Sequence, residues 1–408
     1  MSVSEHVVII GAGHAGGTAA ALLRQYGHDG PITLIGDEPI PPYQRPPLSK
    51  AWLKGEANAE SLALKPLEFY KENRIDFRPG LRAERINRSE RTVRLSDGAT
   101  IGYDYLILAT GARAIALPVP GADLEGVLFL RTAQDAEALK AALGPGKRLA
   151  VVGGGYIGLE AAASARALGA EAVVIEREQR ILARVACEAL SEFFQACHER
   201  HGVEFILGAS VTGFKGEDGR VRGVTLSDGR LVACDAALVG VGATPNDELA
   251  QDAGLDCARG VVVDLQARTS DATIFAIGDV AHRPMPIYDR MFRMESVPNA
   301  LEQAKQAASA ITGRTPPPGE TPWQWSDQYD IKLQIAGYPF DVDRLVMRGD
   351  PQSGKFAVFH LKGDQVQAVE AVNAPPEFMM GRQLIGNRRS VDPEKLADVT
   401  VSMKEVAV

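Results

Sequence analysis

The sequence predicts an α/β protein with two Rossmann-like dinucleotide-binding domains, one inserted in the other, followed by a C-terminal α+β domain. Three observations carry this. Two glycine-rich loops, Gly11-Ala12-Gly13-His14-Ala15-Gly16 and Gly153-Gly154-Gly155-Tyr156-Ile157-Gly158, stand far apart in the chain. Each follows a short apolar run, Val7-Val8-Ile9-Ile10 or Leu149-Ala150-Val151-Val152, so each reads strand, tight turn, helix. Finally, each unit closes alike: Tyr105-Leu106-Ile107-Leu108 runs into Ala109-Thr110-Gly111, and Ala237-Leu238-Val239-Gly240-Val241 runs into Gly242-Ala243-Thr244-Pro245.

In such a loop the first glycine permits the turn. The second admits a pyrophosphate to the backbone, and the third lets helix and strand pack closely. The diphosphate then rests on unpaired N–H groups at the positive end of the helix dipole. Two loops in one chain imply two dinucleotides and electron passage between them. A carboxylate follows each loop, Asp37 after Gly16 and Glu176 after Gly158, both near the end of the next apolar run. Such an acid, expected about 20 residues on, accepts hydrogen bonds from ribose hydroxyls and repels a 2′-phosphate; alternatively each acid ends a strand at a solvated turn. Arg177, next to Glu176, is suited to a 2′-phosphate, but the Glu176 carboxylate sits where that phosphate must go and is expected to dominate.

At 408 residues the chain exceeds one core,. With 45% hydrophobic and 24% charged residues it is ordinary for a globular protein, and its net charge of −8 argues against nucleic-acid or anionic-membrane binding,. No apolar run has the length of a membrane span, and the N-terminus reads as a strand rather than a signal peptide, so a cytoplasmic protein is expected.

The four cysteines, Cys187, Cys197, Cys234 and Cys257, form no close pair, which removes disulfide staples and zinc knuckles,. Flavoenzymes that reduce disulfides carry a dithiol in the segment after the first nucleotide loop. Here that segment, Pro41-Pro42-Tyr43-Gln44-Arg45-Pro46-Pro47-Leu48-Ser49-Lys50, has no thiol, so electrons must leave by another route. Cys197, His198 and His201 fall within five residues, but no fourth ligand is signalled and 192–202 reads as a solvated helix end,. No metal is expected.

A third strand, Ile274-Phe275-Ala276-Ile277, ends in Gly278-Asp279. Ligands lie at the carboxyl ends of parallel strands, so Asp279 faces a cofactor crevice, a place compatible with a helix N-cap. The proline-rich stretch 315–322 is a linker. Beyond it, 356–361 and 365–370 alternate around Lys362-Gly363-Asp364 as an antiparallel hairpin,.

Taken together, the Gly11 loop, Arg45-Pro46-Pro47-Leu48-Ser49-Lys50, the run from Gly153 to Glu160, Gly278-Asp279, Glu295-Ser296-Val297-Pro298-Asn299-Ala300-Leu301-Glu302-Gln303-Ala304 and Trp325-Ser326-Asp327-Gln328 resemble the oxygenase-coupled ferredoxin reductases. These are the FAD-dependent reductases of the putidaredoxin-reductase and biphenyl-dioxygenase type, and the resemblance covers essentially the whole chain. It implies an FAD-binding domain in two parts, 1–112 and 244–320, an NAD-binding domain at 113–243, and a C-terminal domain at 321–408. It also implies the reaction: NADH reduces FAD, and FAD reduces a [2Fe–2S] ferredoxin that serves a haem-thiolate monooxygenase or a Rieske dioxygenase.

By motif position the resemblance assigns Gly11, Gly13, His14, Ala15, Gly16, Asp37, Lys50, Ala83, Arg131, Gly278, Asp279 and Val297 to FAD. Lys50 would stabilise the negative charge of the reduced flavin. Trp325 would wall the flavin or, equally, fill the core of the small domain. To NADH it assigns Gly153, Gly155, Tyr156, Ile157, Gly158, Glu160, Glu176 and Gly242, with Glu160 near the nicotinamide carboxamide. Hydride transfer between such rings needs alignment rather than a side-chain base. A monomer is expected, with a basic docking patch of Arg293, Lys305 and Lys332 for an acidic ferredoxin. An NADH oxidase or peroxidase-like enzyme, a flavoprotein of the apoptosis-inducing-factor type and a rubredoxin reductase stay open as alternatives.

Overall fold

The computed structural model describes residues 5–408. They gather into two compact units: Met1–Gln44 with Ala59–Arg113 and Thr244–Gln324, and Arg45–Asn58 with Ala114–Ala243 and Trp325–Val408. Four helices matter for the sites: α1 (His14–Gln25), α2 (Tyr156–Ala167), α3 (Glu188–Arg200) and α4 (Val297–Ile311). No helix among the described residues is long and apolar enough to cross a membrane.

The first unit holds a five-stranded parallel sheet in the order Ile274–Ala276, Tyr105–Leu108, Val7–Ile10, Ile32–Gly36, Ile75–Pro79. Its central strands are buried on both faces, which is why they read as unbroken apolar runs rather than alternating ones,. The second unit repeats the plan with Val203–Leu207, Glu171–Glu176, Arg148–Val152, Ala236–Val239 and Val127–Leu128. It adds an antiparallel sheet in the order Trp323–Gln328, Ile331–Gly337, Gln365–Val372, Lys355–Lys362, Arg344–Asp350. The expected hairpin is the pair Lys355–Lys362 and Gln365–Val372, turning at Gly363 with φ +61°.

In the first unit α1 and α4 share a buried core through Ala15, Ala19, Ala300, Ala304 and Ala307. A buried ion pair fixes α4 from beneath: Arg283 Nη2 lies 2.8 Å from Glu302 Oε1, with side chains 6% and 7% exposed. Arg283 Nη1 also donates to Asn299 Oδ1 at 3.1 Å.

In the second unit α3 is amphipathic, burying Leu190, Phe194, Cys197 and His198 along one stripe,. The helix meets the C-terminal sheet where the Phe193 and Phe356 rings lie edge to face at 5.2 Å and His198 Nε2 bonds to Gln328 Oε1 at 2.7 Å, and His198 also meets Phe205 edge to face. The segment read from sequence as a solvated helix end is exposed at Glu192, Ala196 and 199–202, but Phe194, Cys197 and His198 face inward, and His198 is fully buried. Burial pushes its pKa down to about 4.

Two outcomes follow for stability. Glu302→Ala leaves Arg283 as an unpaired buried charge, a change of about 3–5 kcal/mol in denaturant unfolding, whereas Glu302→Gln keeps an acceptor and costs less. An unfolded histidine titrates near 6.5 and His198 near 4, so the unfolded state binds more protons between these values,. The stabilisation is complete above pH 6.5 and is lost as pH falls, with about 2 kcal/mol gone at pH 5. Unfolding at pH 7.5 and pH 5 should show that difference shrinking in His198→Gln.

Candidate functional site: two dinucleotide loops and a buried carboxylate

The two loops are built alike. Gly11 and Gly153 take φ of +107° and +108°, and a Cβ there would sit 2.1 Å from the Ala109 carbonyl oxygen or 2.5 Å from that of Gly240. A Cβ at Gly16 or Gly158 would sit 1.9 Å or 2.3 Å from the carbonyl oxygen of its loop's first glycine, so only glycine lets helix and strand approach this closely. The middle glycines behave differently. A Cβ at Gly13 or Gly155 would meet nothing within 4 Å. These two residues are the N-caps of α1 and α2 and carry no side-chain cap, so the helix amides face open space that fits a diphosphate,.

His14 and Ala15 begin α1, as Tyr156 and Ile157 begin α2. Tyr156 donates its hydroxyl to the Val185 carbonyl at 3.0 Å, and Ile115 N–H donates to the Gly242 carbonyl at 3.0 Å. Ile157, Val185 and Ile115 stand 47%, 43% and 37% exposed. Ile115 and Val185 carry no motif signal in the sequence; only the fold attaches them to the second loop and to Gly242.

The two acids do not occupy matching positions. Gly11 N–H donates to the Ile35 carbonyl and Gly153 N–H to the Ile175 carbonyl, each at 2.8 Å, so Glu176 corresponds to Gly36 and Asp37 to Arg177. Glu176 Oε2 accepts the Gly154 N–H at 2.7 Å and Oε1 the Glu178 N–H at 3.0 Å. At Gly36 no side chain fits, because a Cβ would sit 2.5 Å from the Ala12 Cβ. The first site's acid therefore stands one residue further on, at the exposed Asp37. Arg177 is turned to Glu178 at 3.1 Å.

In the first unit, Gly278 lies under α1, its Cβ position 3.0 Å from the Ala15 Cβ. Its N–H donates to Gln303 Oε1 at 2.8 Å, which ties Gly278 and Asp279 to α4, where Val297 is the first residue after the Ser296 cap. Gln303 Nε2 is buried with no partner, a second polar group in position for a ligand and one that sequence reasoning quoted only as part of a motif. The structure thus brings Gly278 between Ala15 at the start of α1 and Ala300 in the first turn of α4, the turn that Val297 opens. Ala83 opens the strand Ala83–Asn87 of a separate three-stranded sheet and pairs with Leu95. Arg293 is held inside, 17% exposed, by Glu295 at 2.7 Å and by the Asp279 carbonyl at 3.0 Å. That spends the charge expected of it in a docking patch. Lys305, half-buried, lies 3.6 Å from Glu320, and Lys332 is exposed on its strand.

In the second unit Glu160 is 5% exposed and three donors converge on it. Ser49 Oγ and Lys50 Nζ reach Oε2 at 2.5 and 2.6 Å, and Ser326 Oγ reaches Oε1 at 2.6 Å. Ser164 Oγ, one turn along α2, donates to the Ser49 carbonyl at 2.7 Å and so fixes the turn Pro46–Ser49 on the helix. Arg45 donates to the Arg131 carbonyl, while Arg131 N–H donates to Asp135 Oδ2 at 3.0 Å at the start of the next helix. Strand alternation puts Ser326 and Gln328 on one face and Trp325 on the other,.

All four cysteines are free thiols with raised pKa. Burial comes first in each case, aided at Cys187 by Glu370, and Cys234 and Cys257 are pushed up to about 12 and 11. Each is held further from the thiolate than an ordinary cysteine, the opposite of the environment that activates a redox thiol. Among the described residues, the potential metal ligands that meet are Cys187, His360 and Glu370, but they close on one another: Glu370 accepts the Cys187 N–H at 3.2 Å and pairs with His360 Nε2 at 2.9 Å.

Residues 5–304 match the model of the pyridine nucleotide-disulphide oxidoreductases, and residues 323–407 match the reductase C-terminal domain. The chain is 53% identical to "Probable ferredoxin reductase CtmF" of Castellaniella defragrans over 100% of both chains. It is 41% identical to putidaredoxin reductase CamA of Pseudomonas putida over 100% of this chain and 97% of the relative. In the crystal structure of the covalent putidaredoxin reductase–putidaredoxin complex, the reductase-like chain superposes with a TM-score of 0.97 at 41% identity, covering 99% of this chain and 98% of that one. The chain belongs to the pyridine nucleotide-disulphide oxidoreductase family, whose enzymes use FAD and NAD(H), and it carries the reductase C-terminal domain.

Proposed function

We propose that the chain passes electrons from NADH through FAD to a [2Fe–2S] ferredoxin that serves an oxygenase. The observation that supports this most is the pair of loops with open middle glycines, in a chain whose thiols all have raised pKa. The loops support two dinucleotides, and the raised thiol pKa values speak against thiol exchange as the exit. The relatives, reductases of ferredoxins by name, supply the acceptor.

Gly11, Gly13, His14, Ala15, Gly16, Asp37, Ala83, Gly278, Asp279, Val297 and Gln303 would hold FAD, and the family resemblance adds Arg131 and Trp325. Bound FAD would supply the passage from a two-electron donor to one-electron acceptors: a hydride in from NADH, two electrons out singly to two ferredoxins, and one proton released. Gly153, Gly155, Tyr156, Ile157, Gly158, Glu176 and Gly242 would hold NADH, with Ile115 and Val185 as an apolar rim. Glu160 orients the carboxamide. A carboxylate offers about four acceptor sites, and three on Glu160 are filled, which leaves one on Oε1 for an amide N–H,. Lys50 shares that carboxylate, so the charge assigned to the flavin and the acid assigned to the nicotinamide act as one pair.

Glu176 has two backbone donors and keeps acceptor capacity for ribose hydroxyls, where a 2′-phosphate would be repelled. NADH should be preferred over NADPH, and Glu176→Arg should cut kcat/KM for NADH by about tenfold or more, about 1.4 kcal/mol, while raising that for NADPH. Steady-state assays with both cofactors check this, and equal wild-type use of the two would contradict it.

Lys305 and Lys332 remain the docking candidates for an acidic ferredoxin. Steering between exposed charges is screened over about 10 Å at 0.1 M salt, so ferredoxin reduction should slow with salt while reduction of a neutral acceptor does not. Changing both lysines to Glu should raise the ferredoxin KM and leave NADH-driven flavin reduction unchanged. Wild-type rates across the salt series would move the docking face elsewhere.

A further inference from the structure

Behind Glu160, four more side chains of the second unit stand in a line that the reaction as described does not use. Ser326 Oγ, 2.6 Å from Glu160 Oε1, is 3.1 Å from Gln328 Nε2. Gln328 Oε1 is 2.7 Å from His198 Nε2, and His198 Nδ1 is 3.1 Å from the Tyr329 hydroxyl. Ser326, Gln328 and His198 are at most 1% exposed, so no solvent competes for these bonds.

The chemistry of the ends fixes the direction of every link. A carboxylate only accepts, so Ser326 O–H donates to Glu160. The serine oxygen then accepts from the amide N–H of Gln328. The amide oxygen only accepts, so the proton of the imidazole sits on His198 Nε2. The ring is kept neutral by burial, which leaves Nδ1 bare to accept the Tyr329 O–H,. All four donors point the same way, toward Glu160. Such chains strengthen along their length and resist reversal.

We propose that Gln328, backed by His198, is a positioning residue for Glu160: by donating to Ser326 it turns the serine hydroxyl onto Oε1 and so aims the one remaining acceptor site at the nicotinamide carboxamide. This rests on the reading that Glu160 orients NADH. It adds that the orientation is set from α3 and the C-terminal sheet. Without the Gln328 donor, Ser326 is free to turn and Glu160 loses its fixed geometry. Small misplacements of this kind act on the rate of hydride transfer more than on binding.

The test uses the FAD-loaded full chain. Anaerobic rapid mixing with NADH separates the limiting rate of flavin reduction from the NADH Kd in Glu160→Gln, Gln328→Met, His198→Leu and His198→Gln. Gln328→Met keeps the length of the side chain but loses the donor. It should lower the limiting rate by about tenfold or more with a much smaller change in Kd. His198→Leu should move in the same direction. His198→Gln, which retains a donor toward Gln328, should recover most of the rate. The double variant Glu160→Gln/Gln328→Met should be no slower than Glu160→Gln alone, since both act through one carboxylate. A readout independent of turnover is the ¹⁵N spectrum of the imidazoles, in which His198 should be the neutral Nε2–H tautomer at pH 7.

Full wild-type rates in Glu160→Gln would overturn the reading of Glu160 and this proposal with it. A slow Glu160→Gln beside wild-type rates in Gln328→Met and His198→Leu would overturn this proposal alone. So would additive losses in the double variant, or an Nδ1–H tautomer at His198. Should His198→Leu fail to fold, Gln328→Met and the tautomer decide.

Discussion

A carboxylate that is 5% exposed has to find donors within the protein, and the second unit is arranged around meeting that requirement for Glu160,. Its donors come from segments distant in the chain on either side, Ser49 and Lys50 before it and Ser326 after it. This explains why Arg45–Asn58 belongs with the second unit although the sequence around it belongs to the first. The backbone hydrogen bonds from Leu48 to Glu56 are local to the segment, closing turns onto Arg45, Pro47, Lys50, Ala51 and Trp52. Ser164 on the Ser49 carbonyl, Arg45 on the Arg131 carbonyl and the bonds to Glu160 attach it to the rest of the unit.

The same economy separates the two dinucleotide loops. They share the turn, the close glycine contacts and the open middle glycine, because those follow from strand-to-helix geometry and a diphosphate,. They part at the end of the second strand. Glu176 fits there because it can return to the Gly154 N–H, whereas Ala12 occupies the corresponding space in the first loop and forces glycine at position 36. One methyl group thus decides which residue can carry the acid, and Asp37 stands outside the loop where Glu176 is tied into it.

Much of this was legible in the sequence, for identifiable reasons. The parallel sheets announced themselves through fully buried strands, the loops through glycine spacing and the hairpin through alternation around Gly363. The candidates Lys50 and Glu160 were each named, but their pairing was not, because nothing in a sequence marks which of many lysines meets a glutamate so far along the chain. The matched positions of Gly36 and Glu176 needed the strand register, since counting from each loop to its acid compares unlike residues. His198 was misplaced because three potential ligands close together drew attention to local composition. The spacing of Leu190, Phe194, Cys197 and His198 did carry the information: it is a helical stripe, and a histidine on such a stripe faces a core,.

The family is named for disulphide chemistry, and this chain shows what a member does with the same framework when thiols are absent from the segment after the first loop. That segment brings a hydroxyl and an ammonium, Ser49 and Lys50, onto a buried carboxylate. A dithiol there would store electrons and hand them on in pairs, as disulfide exchange requires. An ion pair stores none. It can only fix charges and geometry, which suits an enzyme whose cofactor carries the electrons and whose acceptor takes them one at a time. The C-terminal sheet then supplies the remaining donor through Ser326, so the element added to the shared nucleotide-binding plan is joined to the carboxylate proposed to align NADH.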